Sequence, residues 1–147
     1  MTDAIAATVE HSFPGKTPEQ LFRAWIDPGL LPQWLAPAPY SLVLADVEAK
    51  PGGHYRHDIV GPDGTHVVIG EFLRFEAGRH LRKSWNYRGP NPAPRPEPTF
   101  VDVIVEQGEN NSSRIMLTHS GLRDRIEWNH YDSGWRACFE RLEQLVL

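Results

Sequence analysis

Residues 128–147, WNHYDSGWRACFERLEQLVL, decide the fold. Their apolar side chains recur at intervals of three and four residues: Trp128, Tyr131, Trp135, Cys138, Leu142 and Leu145. That spacing predicts a helix with one apolar stripe. Charged and polar residues from Glu127 to Gln144 fill the intervals and predict a solvated opposite side. A stripe with two tryptophans and a tyrosine has to pack against another layer, which the strands upstream provide.

The composition is that of one soluble domain spanning residues 1–147. Its length is about one domain's worth of chain, and the net charge of −4 gives no basic surface for phosphate, so nucleic acid is disfavoured. No window approaches the ~20 apolar residues of a membrane span, and the first residues lack the pattern of a signal peptide. The single cysteine, Cys138, excludes an internal disulfide and predicts a buried, inert thiol. We therefore expect a cytoplasmic protein.

The first forty residues predict a strand and two short helices. Residues 4–12 alternate between apolar and polar and predict the strand. Residues 17–20, TPEQ, form a helix start with a capping threonine, a proline at the first helical position and a glutamine three residues after the cap. Residues 21–26 supply the apolar face of this helix, and Asp27-Pro28-Gly29 ends it. A second short helix is predicted over residues 30–35.

The middle of the chain has the pattern of strands and turns. The predicted strands span 41–49, 54–60, 66–76, 80–87, 99–107 and 114–120. Turn sequences such as PGG at 51–53 and GPDG at 61–64 separate them. The order of one strand, two short helices, about six more strands and one long helix predicts an α+β domain. We expect a curved antiparallel sheet of six or seven strands around the C-terminal helix.

Residues 88–98 break the strand pattern, because proline occupies every second position from Pro90 to Pro98. Such a run cannot join a sheet ladder and favours extended polyproline II geometry. It predicts a stiff surface loop. A lid over the groove, a contact in a homodimer and a docking strip for a partner are the alternatives.

Several short segments of the sequence, taken in their order along the chain, resemble the activator-of-heat-shock-protein-90-ATPase-like family of the START-like, helix-grip superfamily. The resemblance covers nearly the whole chain. It rests on the helix start at 17–22 with Trp25 and Trp34, the turns at 51–55 and 61–64, the strand end at 117–119, and Gly134-Trp135 followed by Leu142. It implies a helix-grip fold with a deep cavity between sheet and C-terminal helix. Because the superfamily includes lipid carriers, hormone receptors, polyketide cyclases and cochaperone domains, the fold alone does not set the function.

The chain departs from the family pattern at two positions near the expected groove. A histidine is common three residues before Gly134, and here that position is Tyr131, with His130 just before it. The strand position between Leu81 and Trp85 is usually aromatic, and here it is Lys83.

Strand alternation predicts which side chains line the groove, because residues two apart share a face. If the apolar residues face the helix, then His57, Lys83 and His119 are carried inward with them. An inward polar group needs a hydrogen-bond partner, a ligand or a shifted pKa. The alternative is an ordinary structural role, with each histidine bonded to a neighbour and Lys83 reaching solvent at the sheet edge. The predicted ligand-binding residues are Tyr55, His57, Lys83, Trp85, Tyr87, His119, Tyr131 and Trp135.

The sequence contains none of the common catalytic or metal-binding patterns. His54 and His57 are three residues apart in a strand and point to opposite faces, and no paired-cysteine, phosphate-loop, dinucleotide or Gly-x-Ser-x-Gly pattern is present. We therefore predict no metal and no cofactor, assign no catalytic residue, and predict a module that binds a small hydrophobic or aromatic, lipid- or polyketide-like molecule. The alternatives are a cyclase, dehydratase or isomerase acting in the cavity, and the cochaperone-like ATPase activator that the resemblance implies.

Overall fold

The computed structural model describes residues 5–90 and 95–147. The elements are β1 (Ile5–Pro14), α1 (Pro18–Ala24), a 3-10 turn (Leu31–Gln33), β2 (Ser41–Val47), β3 (His54–Gly61), β4 (Gly64–Glu76), β5 (His80–Arg88), β6 (Thr99–Gln107), β7 (Ser112–Leu122) and α2 (Arg125–Gln144). The predicted start of the first strand at Ala4 and residues 91–94 of the proline segment lie outside the described residues.

The predicted α+β class and helix-grip architecture are confirmed. In the described residues, seven antiparallel strands form one curved, open sheet in the order β1-β7-β6-β5-β4-β3-β2, and α2 packs against it. No helix in residues 5–90 or 95–147 is long and apolar enough to cross a membrane.

The start of α1 has the predicted capping box. The Thr17 hydroxyl accepts from the Gln20 N–H at 3.1 Å, and the Gln20 side chain accepts from the Thr17 N–H at 2.9 Å. The second predicted helix, over 30–35, is only the single 3-10 turn at Leu31–Gln33. A piece this short fixes more backbone angles than it forms hydrogen bonds, so it does not extend into a helix.

Strands β2 and β4 change face partway along, because each contains an extra residue. In β2, Leu42 pairs with Ile59 and Leu44 with Asp58, which leaves Val43 without an opposite residue. The same shift occurs in β4 near Leu73. Bulges of this kind bend and twist a strand, so they contribute to the curvature of the sheet.

Aromatic side chains from β1, from α2 and from the residues that directly follow α1 and the 3-10 turn form the centre of the core. The Trp25 ring lies 4.8 Å from that of Trp34 and 5.5 Å from that of Trp135, between ring centroids. Phe13 and Phe139 meet edge to face at 5.9 Å. Tilted and edge-on aromatic pairs of this kind stabilise beyond the area that they bury. The apolar stripe of α2 is therefore packed as its spacing predicts, with Phe139 added to it.

Glu127 in α2 differs from the predicted solvated side, because it is only 3% exposed. Its carboxylate accepts from the Arg123 N–H at 2.8 Å and pairs with the guanidinium groups of Arg123 at 3.1 Å and Arg95 at 3.4 Å. Asp124 caps the helix by accepting from the Glu127 N–H at 2.9 Å. The positive end of the helix and two arginines together offset the burial of this carboxylate.

Candidate functional site

A cavity of about 310 Å³ lies between α2, the strands and the segment after the 3-10 turn. Helix α2 contributes His130, Tyr131, Ser133, Gly134, Trp135 and Cys138. Strands β3 to β5 contribute Ile59, His66, Val68, Trp85 and Tyr87. The segment before β2 contributes Leu35, Ala36, Pro37 and Tyr40. The wall is mostly apolar and carries a few polar groups, which is the usual composition of a small-molecule site.

The eight predicted ligand-binding residues fall into two groups. Trp85, Tyr87, Tyr131 and Trp135 line the cavity. Tyr55, His57, Lys83 and His119 are buried, and they contact the first group or one another from behind the cavity wall. That these eight residues contact a ligand stays a prediction.

His119 is held in one neutral form by its neighbours. The Trp135 indole N–H donates to His119 Nδ1 at 3.1 Å, so the ring proton lies on Nε2, which is 2.7 Å from the Thr99 hydroxyl. That hydroxyl in turn donates to the Trp85 carbonyl at 3.2 Å. Burial, followed by the nearby charge of Lys83, lowers the pKa of His119 to about 3. His119 thus fixes the orientation of a cavity-lining tryptophan.

Lys83 lies in the core inside a box of aromatic rings and is 0% exposed. Its Nζ is 4.5 Å from the ring centroid of Tyr55, 5.2 Å from that of Trp25 and 5.4 Å from that of Trp85. Burial lowers the pKa of this amine from 10.5 to about 7. Ring faces attract a cation without giving it a hydrogen-bond acceptor. The rings therefore offset only part of the cost of burying the charge, and among the described residues the amine has no hydrogen-bond acceptor.

A chain of hydrogen bonds joins a carboxylate, an imidazole and a phenol at one side of the cavity. His66 Nε2 is 2.8 Å from Asp63 Oδ1, and His66 Nδ1 is 2.6 Å from the Tyr87 hydroxyl. The bond from His66 lowers the pKa of Asp63, so the carboxylate is ionised and accepts the Nε2 proton. In the neutral ring, Nδ1 then accepts from the Tyr87 O–H. Tyr40 also donates to Asp63, at 3.4 Å.

Two glycines allow the aromatic rings at this side of the cavity to lie against the backbone. A Cβ on Gly89 would come within 2.3 Å of the Tyr87 hydroxyl oxygen. A Cβ on Gly61 would come within 2.1 Å of the Tyr40 ring. Any larger residue would displace these rings, so the two glycines set the position of the phenol groups.

The phenol of Tyr131 and the thiol of Cys138, which α2 contributes to the cavity wall, stay protonated. The Trp85 indole N–H donates to the Tyr131 hydroxyl oxygen at 3.1 Å, and burial raises the pKa of Tyr131 well above 10.0. Burial raises the pKa of the Cys138 thiol to about 12, and its S–H points to the Leu35 carbonyl at 2.8 Å. A thiol in this state is a poor nucleophile. The prediction of a buried cysteine is confirmed.

Sequence reasoning did not select His66, His130 or Tyr40 for the cavity. His66 had a usable signal, because it alternates with Val68 and Phe72, both buried in β4. His130 lies one residue from the position where the family pattern has a histidine, and in α2 it still faces the cavity. Burial lowers its pKa. Tyr40 lies in a loop and had no periodic signal.

Within residues 5–90 and 95–147, no three histidine, cysteine or acidic side chains are grouped so that they could hold a metal ion. What the cavity offers is therefore apolar surface, phenol and imidazole groups, and the buried amine behind them.

Solved structures with the same fold come from several bacteria. Protein CV1439 from Chromobacterium violaceum is 20% identical with a TM-score of 0.80, over 95% of this chain and 97% of that one. Protein MLL2253 from Mesorhizobium loti is 26% identical with a TM-score of 0.74, over 95% of both chains. The AHSA1 protein SPO3351 from Silicibacter pomeroyi is 21% identical with a TM-score of 0.76, over 93% and 95%.

No curated protein matches the chain in sequence. The family model described as "Activator of Hsp90 ATPase homolog 1-like protein" matches residues 16–146, which is most of the chain and includes every cavity-lining residue. The protein is a member of this family, in the START-like helix-grip superfamily.

Proposed function

We propose that the protein binds a small hydrophobic or aromatic molecule, of lipid or polyketide type, in the cavity between the sheet and α2. The observation that carries this proposal is the cavity of about 310 Å³, with its apolar, aromatic wall. That volume lies at the lower end of the range of small-molecule sites. The fold of this family often binds small hydrophobic ligands, which supports the proposal.

Native mass spectrometry of the protein purified gently from its own host tests this function. We expect a small molecule bound in stoichiometric amount, which denaturing extraction then identifies. The matched variant is Gly134→Leu, because a Cβ at Gly134 meets no atom within 4 Å and a longer side chain would project into the cavity. Gly134→Ala adds one methyl group and is the control. A ligand retained equally by wild type and Gly134→Leu contradicts binding in this cavity.

A second candidate function is proton transfer on a bound carbonyl compound, as in an isomerase or dehydratase. The chain Asp63–His66–Tyr87 favours it, because His66 bridges the carboxylate and the Tyr87 phenol by short hydrogen bonds. As the Tyr87 proton moves to His66 Nδ1, the phenol oxygen takes a proton from the carbon next to a ligand carbonyl. The imidazolium formed is stabilised by Asp63, and the ligand becomes an enolate.

Deuterium exchange separates an enzyme from a simple binder. We expect 1-tetralone, a bicyclic ketone with acidic C–H bonds, to gain deuterium faster in heavy water with the protein than in buffer alone. Tyr87→Phe should retain ligand binding and lose this acceleration. Equal exchange with wild type and Tyr87→Phe contradicts the catalytic role.

A role as an ATPase activator, which the family description suggests, does not require an open cavity. A protein-interaction module tolerates a filled cavity, whereas a binder does not. Gly134→Leu therefore discriminates the two. Retained chaperone ATPase stimulation in this variant would favour the interaction role over ligand binding.

A further inference from the structure

Unsatisfied buried polar atoms concentrate in one place behind the cavity. Among the described residues, the buried side-chain nitrogen and oxygen atoms without a hydrogen-bond partner are Trp25 Nε1, both ring nitrogens of His57, and Lys83 Nζ. Lys83 Nζ lies over the rings of Trp25 and Tyr55, and the Tyr55 ring lies 4.9 Å from that of His57. A buried polar group without a partner destabilises the folded state, because it has lost its hydrogen bonds to water. Three such residues in one cluster indicate that an acceptor is missing from it.

This cluster adjoins the inner end of the cavity. His57 pairs with Val68 across β3 and β4, and Val68 lines the cavity. Lys83 Nζ lies 5.4 Å from the ring centroid of Trp85, which also lines it. The amine ends a flexible four-carbon chain, and no hydrogen bond from the described residues holds it, so movement of Lys83 past the Trp85 ring would join the cluster to the cavity.

The groups in the cluster define the chemistry of what they bind. Trp25 Nε1–H is a donor only, the amine of Lys83 supplies up to three protons, and neutral His57 supplies one. A ligand group that is itself a donor, such as an ammonium, cannot accept hydrogen bonds from these groups. A carboxylate accepts hydrogen bonds at both oxygens and compensates the charge of Lys83.

We propose that the cavity selects molecules that carry a carboxylate on an apolar or aromatic body, with the carboxylate bound by Lys83, His57 and Trp25. This inference rests on the proposed function and specifies its ligand class. It also gives a reason for a lysine at a strand position that faces the core, since Lys83 compensates the ligand charge when the site is filled.

The test compares 2-naphthoate with 2-naphthamide, which have nearly the same shape and differ in charge. Titration calorimetry measures both dissociation constants with the wild-type protein. We expect 2-naphthoate to bind about ten-fold more tightly, because charge-assisted hydrogen bonds are roughly twice as strong as neutral ones. If neither compound binds, the proposed function fails. If both bind with equal affinity, binding stands and the carboxylate inference is overturned.

Lys83→Met is the decisive variant, since methionine has a similar length and no charge. We expect it to lose the preference for 2-naphthoate over 2-naphthamide. Lys50→Met makes the same charge change at an exposed position and should keep the preference. A preference that survives Lys83→Met overturns the role of the amine.

A measurement on the wild-type protein keeps the inference testable if the variant does not fold. In nitrogen-15 NMR spectra, hydrogen bonding to a carboxylate should shift the indole N–H signal of Trp25, which Trp25→Phe identifies. We expect this signal to shift with 2-naphthoate and to shift much less with 2-naphthamide. A Trp25 signal that responds equally to both compounds contradicts the proposed binding mode.

Discussion

The Lys83 amine has no hydrogen-bond partner among the residues that the structure describes, and its ionisation affects folding. Burial lowers its pKa from 10.5 in the unfolded chain to about 7. Between these values the unfolded chain binds a proton that the folded protein does not. The free energy of unfolding therefore increases with pH across this window, by up to about 1.4 kcal/mol per pH unit.

Lys83→Met should remove this pH dependence. We expect the variant to be more stable than wild type near neutral pH, and the difference to shrink as the pH rises from about 7 towards 10.5. Urea unfolding at several pH values measures it. Cys138, whose pKa is raised to about 12, has the opposite effect at higher pH, and it cancels because both proteins contain it. Parallel pH profiles would show that Lys83 has an ordinary pKa.

Trp135 connects the core to the cavity wall. It is 3% exposed, lies 5.4 Å from the Trp85 ring and donates to His119. Trp135→Ala should lower the free energy of unfolding by about 3 to 5 kcal/mol, because it leaves a large void and an unsatisfied histidine nitrogen. Denaturant unfolding measures the loss. Trp128→Ala removes a half-buried indole and should cost clearly less. A loss well under 1 kcal/mol for Trp135→Ala would contradict its buried position.

At the scale of the helix, Gly134 lowers the stability of α2. Glycine in a helix interior is less favourable than alanine by about 1 kcal/mol. Gly134→Ala and Gly134→Leu should both raise the melting temperature, because no atom of the described residues lies within 4 Å of a Cβ at this position. Only Gly134→Leu should also block ligand binding. A loss of stability in both variants would show that the space above Gly134 is closed.

Most elements could be predicted from the sequence, because their signals are local. The spacing of apolar residues along 128–147 and the TPEQ cap at 17–20 were sufficient for α2 and for the start of α1. The bulge at Val43 could not be predicted, because it depends on pairing with β3. Likewise, the burial of Glu127 depends on Arg95, far from it in the chain.

The cavity was harder to predict than the fold, because its wall depends on contacts between residues that lie far apart in the chain. Alternation correctly placed His57 and Lys83 on the inward face, where both are buried. It could not show that Trp85 would lie between Lys83 and the cavity, since that depends on the rotation of one indole ring. Nor could it bring Asp63 from a two-residue turn to within 2.8 Å of His66.

For the whole molecule, ligand binding and stability are linked, because a molecule that occupies the cavity binds only the folded state. At a concentration one hundred times its dissociation constant, 2-naphthoate should stabilise the protein by about 2.7 kcal/mol. For a chain of 147 residues this raises the melting temperature by about 5 to 10 °C. Calorimetry at increasing ligand concentration measures the shift. Gly134→Leu should show none, and an equal shift in that variant would indicate binding elsewhere.

The extra residue in β2 affects how readily a second copy of this protein can pair with the edge of the sheet. β2 is an edge strand, and Val43 and Leu44 are 63% and 43% exposed on it. A straight apolar edge would allow a strand of a second molecule to pair with it and begin aggregation. The bulge at Val43 interrupts the regular row of backbone donors and acceptors that such a strand needs. The residue that helps to curve the sheet thereby also makes the β2 edge a poorer template for a strand of a second molecule.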